Sequence, residues 1–550
     1  LPEKPMMGRL FDDRVGYFNE SFTAYGTSNQ ASKEEHYIAR FRLEKKDPNA
    51  AVSEPVKPIV FYLGREVPEK WRKYLKEAVE DWQPAFEAAG FKNAIIAQDA
   101  PDDPNWDPED ARYSVIRWAP STTQNAMGPH VSDPRSGEVI SAHIIVWNDV
   151  LRLAQRWYFT QASASDKSAQ KIPYSDELLG RLMRYVVSHE VGHTLGFEHN
   201  FKASSAFTIA QLRDPDWTKK WGTEASIMDY GRFNYVAQPE DHAALIPKIA
   251  QYDIFAVKWG YTPIPGAKSP EDEVPTLDKW AAEQVDQPLY RFGANSNEDP
   301  SQQSEDLGDD AVEATTLGLK NIDRIMDYVY DATVKLGEDY SDLSDYYGGL
   351  WSQRNLELGH VARNIGGVVM TNYHGGRGGA VYNMVPRAKQ KAAMDLLVSA
   401  CFETPHSMIR PEILDKLGPT NVASQVTSSQ TRVLATLLSD TRIQQMLDLE
   451  STNGSRAYTV ADMFTDLRHG IWHELDETDP HIDNYRMALQ VAYVNMLAGK
   501  LVGEGEVRGL ARLELGTIRG MIAARMDTTS DWKVRAHLAD LKATIDKALG

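Results

Sequence analysis

The pattern of apolar and polar positions divides the chain into a part with mixed strands and helices and a part that is almost entirely helical. Short apolar runs at 57–63, 93–97 and 113–118 predict buried strands, and apolar residues every three or four positions predict a helix over 71–86. From residue 309 onward the helical spacing dominates. No fixed repeat length accompanies it, so the pattern predicts a helical domain and not a solenoid.

A hairpin is predicted over residues 127–147, with its turn at 133–137. The first arm contains Pro129, which has no backbone N–H to give to a neighbouring strand. Proline inside a strand is typical of a sheet edge, so one side of this arm is expected to stay unpaired. The residues expected along this edge are Met127, Gly128, His130 and Val131.

Two more helices are predicted after the hairpin. The first covers residues 175–195, because Ser175 is a suitable N-cap and acidic residues occupy the following two positions. The second covers residues 247–259 and is expected to end at Gly260.

Composition and charge narrow the classes of function. The apolar share of 42%, with 10% aromatic and 25% charged residues, excludes wholesale disorder, a collagen-like repeat and a coiled-coil rod. Acidic residues outnumber basic ones by 78 to 59, and the net charge of −19 disfavours nucleic acid as a partner. The longest apolar stretches, such as 144–147, are far shorter than the ~18 residues of a membrane helix, so no transmembrane segment is expected.

Cys401 is the single cysteine, which excludes an intrachain disulfide and a cysteine-based zinc site. It lies in an apolar, helical-looking run, where a buried and unreactive thiol is expected. The chain begins with Leu1, and residues 1–9 lack the apolar core of a signal peptide. We therefore expect a trimmed or processed N-terminus whose targeting signal is not in this chain.

The strongest chemical signal is the run from His189 to His199, His-Glu-Val-Gly-His-Thr-Leu-Gly-Phe-Glu-His. On a helix, His189 and His193 are one turn apart and project from the same face, where both imidazoles can reach one metal ion. Glu190 is rotated by about 100° from His189, so it can act on a water at that metal without being a ligand.

Gly196 permits the positive φ that ends a helix, and a sharp turn there can bring His199 back as a third ligand. Three histidines leave the fourth position of zinc open, which is typical of a catalytic site and not of a structural one. The alternative is a capped helix with ordinary surface histidines. Under that alternative the spacing would be a coincidence, which is expected in fewer than about one in ten thousand such chains.

The segment Ser226-Ile227-Met228-Asp229-Tyr230 follows the histidines, and together they resemble the metzincin clan of zinc peptidases. The resemblance implies that Met228 forms an apolar floor beneath the three imidazoles and that Tyr230 stabilises the oxyanion. It covers about residues 57–262. The residue after the third histidine differs among the branches of the clan and is Asn200 here, so the chain is not assigned to the astacins, matrixins, adamalysins or serralysins.

With its long helical C-terminal part, the chain is similar to a poorly characterised family of large bacterial zinc-dependent metalloproteases that are exported to the cell envelope. The implied fold is α+β, with a twisted mixed sheet and a zinc helix followed by a mainly α-helical domain. The expected parts are an N-terminal strand-containing segment at 1–56, the metzincin-like catalytic domain at 57–262, a linker or covering loop at 263–308 and the helical domain at 309–550.

The function that follows is a zinc-dependent endopeptidase (EC 3.4.24) that acts outside the cytoplasm, in the periplasm, on the outer membrane surface or after secretion. One Zn²⁺ would be held by His189, His193 and His199, with Glu190 as general base. A peptide or protein substrate would pair in extended form with the predicted edge strand. The alternative is a cell-envelope binding or scaffold protein with a vestigial zinc site, against which the intact Glu190 argues.

Two other segments permit different ligands. The Asp- and Pro-rich loop at 99–104 offers carboxylates to Ca²⁺ but lacks the EF-hand spacing, so calcium is an unsupported alternative to a solvated loop. Residues 374–379 are glycine-rich but lack the Gly-Lys-Ser/Thr of a phosphate loop, which favours an ordinary flexible loop. The sequence indicates neither the natural substrate nor the oligomeric state.

Overall fold

The computed structural model describes residues 1–25, 32–294, 296, 298–503 and 505–550. The chain separates into two compact units. Unit 1 comprises Leu1–Ser296, Ser301–Asp310 and Thr371–Val381, and unit 2 comprises Asn297–Pro300, Ala311–Met370 and Tyr382–Gly550. The predicted α+β class, with a mixed sheet and many helices, is confirmed.

The strands in the described part of the chain are β1 (Asn19–Ala24), β2 (Lys33–Ile38), β3 (Ile59–Leu63), β4 (Ile95–Asp99), β5 (Ser114–Ala119), β6 (Ala126–Met127), β7 (His130–Asp133), β8 (Glu138–Trp147), β9 (Val368–Met370) and β10 (Tyr382–Met384).

The α-helices of unit 1 are α1 (Glu69–Glu80), α2 (Gln83–Ala88), α3 (Val150–Ala162), α4 (Asp176–Thr194), α5 (Ile209–Arg213), α6 (Pro215–Trp221), α7 (Gln251–Tyr261) and α8 (Pro270–Ala281). The α-helices of unit 2 are α9 (Ala311–Met326), α10 (Val329–Thr333), α11 (Ser341–Ala362), α12 (Arg387–Leu396), α13 (Pro411–Leu417), α14 (Pro419–Leu437), α15 (Asp440–Asn453), α16 (Val460–Trp472), α17 (Asn484–Gly499), α18 (Glu506–Arg525) and α19 (Trp532–Leu549).

The main sheet of unit 1 has the strand order β4-β3-β5-β8-β6, and β7 also pairs with β8. Strands β3, β4, β5 and β8 run parallel, whereas β6 and β7 are antiparallel to β8. The prediction of a proline-containing edge strand is confirmed, because β6 and β7 form the outer side of the sheet and are interrupted at Gly128 and Pro129. The missing N–H of Pro129 accounts for that interruption.

Helix α4 matches the predicted helix over 175–195. The Ser175 side chain accepts a hydrogen bond from the Leu178 N–H, and acidic residues fill the first turn, which favours a helix start at this position. Helix α4 packs on α1 and on Trp82, in the break between α1 and α2, whose indole donates to the Ser188 carbonyl at 3.0 Å. Buried Trp82 therefore helps to fix α4 against the rest of unit 1.

The single helix predicted over 71–86 is wrong, because the structure has α1 and α2 with a break at residues 81–82. Pro84 lies in the first turn of α2, and proline can neither donate to the carbonyl four residues earlier nor fit beside it, so a continuous helix is excluded.

The end of the helix predicted at 247–259 is also wrong, because α7 continues through Gly260 to Tyr261. Gly260 does not end the helix; a Cβ there would lie 2.0 Å from the Tyr17 hydroxyl oxygen. The glycine is therefore explained by close packing of Tyr17, whose hydroxyl donates to the Ala256 carbonyl at 2.8 Å.

Both segments that flank the predicted catalytic domain contain regular secondary structure. Residues 1–56, expected to contain strands, hold β1 and β2, and residues 26–31 lie outside the described part. The prediction of a loop over 263–308 is wrong at α8, where Ser269 caps the helix through a capping box and Pro270 occupies its first turn.

Unit 2 has a helical core in which apolar side chains from α11, α12 and α14 to α19 are buried together, as the helical periodicity predicts. Cys401 is buried there, and burial raises the pKa of its thiol to about 12, consistent with an unreactive cysteine. Among the described residues, no helix combines the length and the apolar character needed to cross a bilayer.

Candidate active site

Helix α4 carries the first part of the site on one face of its last turns. His189 and Glu190 are buried and His193 is half-buried. The helix ends at Thr194, and Gly196 follows with φ of +103°, a conformation that L side chains rarely adopt. A Cβ at Gly196 would also lie 1.9 Å from the Ala39 carbonyl oxygen, so both backbone angle and space require glycine here.

The turn at Gly196 returns His199 to the other two histidines, as the sequence predicts. The His199 Nε2 lies 3.3 Å from the His189 Nε2 and 3.1 Å from the His193 Nε2. Nitrogens bound at 2.0–2.1 Å to one tetrahedral zinc are about 3.3 Å apart, so these three side chains fit the ion. They are therefore a group that can hold a metal ion.

In two of the histidines, the second ring nitrogen, Nδ1, is hydrogen-bonded to a backbone carbonyl. The His189 Nδ1 lies 2.6 Å from the Ile227 carbonyl oxygen, and the His193 Nδ1 lies 2.8 Å from the Phe197 carbonyl oxygen. A carbonyl can only accept, so each Nδ1 carries the proton and each Nε2 lone pair is free for a metal.

Burial favours the uncharged form of all three imidazoles. It lowers the pKa of His189 well below its usual value, with further lowering from His193 and His199, and lowers the pKa of His193. Burial and the neighbouring His193 lower the pKa of His199 to about 3. Neutral imidazoles are the form in which histidine binds metals.

The turn at 226–230 lies directly behind the histidines. Its conformation is fixed by Asp253 of α7, whose carboxylate accepts hydrogen bonds from the Ser226 hydroxyl at 2.6 Å and the Ile227 N–H at 2.9 Å. The Ile227 carbonyl in turn orients His189. Asp253 thus acts on the metal ligands through the turn, a role that the sequence analysis missed because nothing near Asp253 in the sequence indicates it.

Met228 is fully buried and packs against α4 between the two helical histidines. A Cβ at Gly192 would lie 2.2 Å from the Met228 Sδ and 2.8 Å from the Trp82 ring. Gly192, the first glycine of the histidine motif, therefore leaves room for the methionine that the resemblance places beneath the metal.

Gly192→Ala is expected to destabilise the protein by about 1–3 kcal/mol, the usual cost of overpacking a core. Its matched control is Gly359→Ala, which lies inside α11 with nothing within 4 Å of the added Cβ. Alanine is the better helix former by about 1 kcal/mol, so the control should be neutral or stabilising. Equal midpoints of urea unfolding for both variants would contradict the packing of Met228 on Gly192.

Tyr230 lies over the histidine cluster. Its ring centroid is 4.3 Å from that of His199 and 5.2 Å from that of His189, and the His189 pair is stacked at 27°. Burial and the nearby Glu190 raise the pKa of Tyr230, so its hydroxyl is protonated at neutral pH and can donate a hydrogen bond.

Glu190 faces the predicted edge strand. The Gly128 N–H donates to its carboxylate, and burial raises the pKa of Glu190 to about 7. A Cβ at Gly128 would lie 2.4 Å from the Glu190 carbonyl oxygen, so this glycine lets the edge strand approach α4. His130 also contacts the helix, through a hydrogen bond between its ring and the His193 carbonyl.

A cleft of about 540 Å³ opens in front of these residues. It is lined by Phe18, Asn125, Ala126, Met127, Gly128, Pro129, His130, Glu190, His193, His199 and Tyr230. Three of the four predicted edge residues therefore reach the cleft. The Val131 side chain is exposed and does not line the cleft, so the pairing of its backbone with a substrate stays a prediction.

Asn200, the residue that differs among the metzincin branches, is fully buried and joins three segments of unit 1. Its N–H donates to the Met228 carbonyl at 3.0 Å, its side-chain amide donates to the Arg291 carbonyl, and its Oδ1 accepts from the Gly293 N–H. The histidine loop is thereby held to the Met228 turn and to the segment expected to be a linker.

In the loops considered for Ca²⁺ and for phosphate, polar side chains are already paired with other protein groups. The Asp99 carboxylate lies 2.8 Å from Arg72 and 2.7 Å from Lys76, which leaves it less available to calcium. In the loop at 374–379, the His374 Nε2 lies 2.7 Å from Asp13, and Arg377 pairs with Asp278 at 3.0 Å.

Comparison with known families gives two matches. Residues 171–479, more than half of the chain, match the family described as Met-zincin. Residues 1–46 match a domain family described as being of unknown function. Comparison with curated proteins and with solved structures gives no significant match. The first match begins before α4 and includes the histidine cluster, the Met228 turn and much of the helical region, and the chain accordingly belongs to the Met-zincin family of zinc metallopeptidases.

Proposed function

We propose that the protein is a zinc-dependent endopeptidase with one zinc per chain, bound by His189, His193 and His199. The observation that carries this proposal is the spacing of 3.1–3.3 Å from the His199 Nε2 to the other two Nε2 atoms, beside a buried carboxylate in an open cleft. Three neutral nitrogens leave one position of a tetrahedral ion open, which is the arrangement of a catalytic site.

A zinc ion held by His189, His193 and His199 would lower the pKa of a bound water towards ~7 and polarise the scissile carbonyl. Glu190 is the only carboxylate lining the cleft in the described part of the chain. It removes a proton from the attacking water and delivers it to the nitrogen of the leaving amine. The Gly128 N–H holds this carboxylate in place.

Tyr230 donates a hydrogen bond to the carbonyl oxygen as negative charge develops there. This role is supported by the stacking of its ring on His189, by its tilted contact with His199 and by its protonated hydroxyl. The hydrogen bond strengthens only in the transition state, so it contributes to the rate more than to substrate binding.

A peptide substrate lies along β6 and β7 in extended form and pairs with their free backbone groups. A second cavity of about 270 Å³ lies next to the cleft, and both are lined by Asn125, Ala126, Glu190 and Tyr230. Because space is available on both sides of Glu190, a chain can extend in both directions from the cleaved bond, as endopeptidase action requires.

The test is hydrolysis of casein by the zinc-loaded protein, followed by mass spectrometry of the products. We expect internal cleavage that stops when 1,10-phenanthroline removes the metal and returns when zinc is restored. Release of single terminal residues would exclude the endopeptidase proposal. Absence of any zinc-dependent cleavage, from casein or from a library of end-blocked peptides, would favour the scaffold alternative.

Tyr230→Phe is expected to lower kcat by about 10- to 1000-fold with little change in KM, because it removes a hydrogen bond that is confined to the transition state. Steady-state kinetics on one blocked peptide measures both constants. Tyr74→Phe on α1, a hydroxyl deletion outside the cleft, is the control. An unaltered kcat in the Tyr230 variant would make that residue a packing residue only.

The proposed site of action is outside the cytoplasm, as the resemblance to exported metalloproteases implies. Fractionation of cells that express the natural gene, with detection of this chain in each fraction, tests that location.

A further inference from the structure

The N-terminal segment pairs with the backbone that carries the third histidine. The Phe18 N–H donates to the Gly196 carbonyl at 2.8 Å, and the Glu198 N–H donates to the Gly16 carbonyl at 3.0 Å. Tyr17 and Phe197 form the antiparallel bridge between these two bonds. Residues 16–18 therefore form a strand-like extended segment, held beside the histidine loop by an isolated bridge outside β1–β10.

Side chains alternate along this strand, as extended backbone requires. The Tyr17 side chain is fully buried and donates to the Ala256 carbonyl, whereas Phe18 is 36% exposed. The Phe18 carbonyl also accepts a hydrogen bond from the Ala39 N–H at 2.7 Å. The backbone of Phe18 is thus held on both sides, and its ring is presented outward at a fixed place.

The Phe18 ring forms part of the wall of the cleft. The centroid of the Phe18 ring lies 5.9 Å from that of His193 and 5.5 Å from that of His130. Met127 and Pro129 add apolar surface to the same cleft, and both are exposed. An exposed aromatic ring beside apolar edge residues offers a binding surface to an apolar side chain.

The two cavities beside Glu190 indicate on which side of the cleaved bond the Phe18 surface lies. The smaller cavity is lined by Tyr185 and Val186, which precede the histidines on α4, whereas the larger one is lined by His193 and Phe18. The edge strand passes them in order, with Asn125 at both cavities and His130 only at the larger one. Antiparallel pairing is the more stable of the two ladder arrangements. A peptide that pairs in this way with the edge runs from Phe18 towards the smaller cavity.

We propose that Phe18, a residue of the N-terminal segment, binds the substrate side chains on the N-terminal side of the scissile bond and creates a preference for apolar residues there. This inference rests on the proposed peptidase function. It gives a role in substrate recognition to a segment that the family match at 171–479 does not include.

The test uses zinc-binding probes that need no turnover. Acetyl-Ala-Leu-Phe-hydroxamate and acetyl-Ala-Ala-Ala-hydroxamate occupy the N-terminal side of the site, and an isobutyl-substituted succinyl hydroxamate occupies the C-terminal side. Affinities of the zinc-loaded protein for each probe are measured by calorimetry, together with zinc content.

Phe18→Ala is expected to weaken the Leu-Phe probe by about 5- to 30-fold, the effect of losing one aromatic contact. The all-alanine and succinyl probes should change by less than about threefold, since neither contacts the ring with a large side chain. Phe18→Leu keeps an apolar contact and should fall between wild type and alanine. Phe22→Ala is the control, because Phe22 lies four residues further along the chain, in β1, and packs on Tyr37.

Three results would overturn the inference while leaving the peptidase proposal intact: equal weakening of all probes together with loss of zinc, weakening of the succinyl probe alone, or unchanged affinities. Failure of all three probes to bind zinc-loaded wild type would instead overturn the proposed function, and this inference with it.

Discussion

Glu190→Gln is expected to lower kcat by about 100- to 10,000-fold while the zinc content and the fold stay unchanged. The amide has the shape of the carboxylate and can still accept the Gly128 hydrogen bond, but it cannot remove a proton from water. Single-turnover kinetics on an end-blocked peptide measures the loss, and metal analysis of the same sample shows that the site is loaded.

Glu198→Gln is the matched control for this variant. Glu198 belongs to the same motif and burial raises the pKa of its carboxyl, but it does not line the cleft. Its replacement should leave kcat within about threefold of wild type, as expected for a residue outside the reaction. Near-normal turnover by Glu190→Gln would remove Glu190 from the mechanism.

His193→Ala is expected to reduce bound zinc from one ion per chain to less than about a tenth after dialysis, and to abolish hydrolysis. Loss of a partner that merely orients a ligand costs 10- to 100-fold in metal affinity, so loss of a ligand itself should cost more than about 100-fold. Truncation of either helical histidine leaves one backbone carbonyl without its partner, that of Phe197 for His193 and that of Ile227 for His189. His193 is chosen because it is half-buried, so its loss disturbs the core less than loss of buried His189.

Two comparisons separate loss of metal from loss of fold. The melting temperature of His193→Ala should equal that of wild type stripped of zinc, because a ligand stabilises only the state that binds it. His130→Ala should keep its zinc, since the His130 ring bonds to the His193 carbonyl and is not a ligand. An unchanged zinc content in His193→Ala would refute the proposed ligand set.

Local sequence patterns predicted the parts of the site that lie on one element. The cap at Ser175, the positive φ at Gly196 and the return of His199 all depend on residues within a few positions of each other. The edge position of the strand at Pro129 follows from one missing N–H. Such features depend on short-range geometry, and the predictions of them agree with the structure.

The residues that the sequence analysis missed act across long distances in the chain. Phe18 reaches the cleft through pairing with Gly196, and Asp253 orders the Met228 turn from another helix. Gly192 appears in the sequence as a spacer, but its role is set by the Met228 sulfur against it. No local periodicity encodes these contacts, because each depends on which distant segment packs there.

The pairing of residues 16–18 with residues 196–198 has a consequence for folding during synthesis. At about 5–20 residues per second, the ribosome adds the partner strand roughly ten to forty seconds after it has made Tyr17. Until then the N-terminal strand has an unpaired edge, which is the kind of surface that chaperones protect. The nascent chain can therefore fix its histidine loop and take up metal only after His199 has left the exit tunnel.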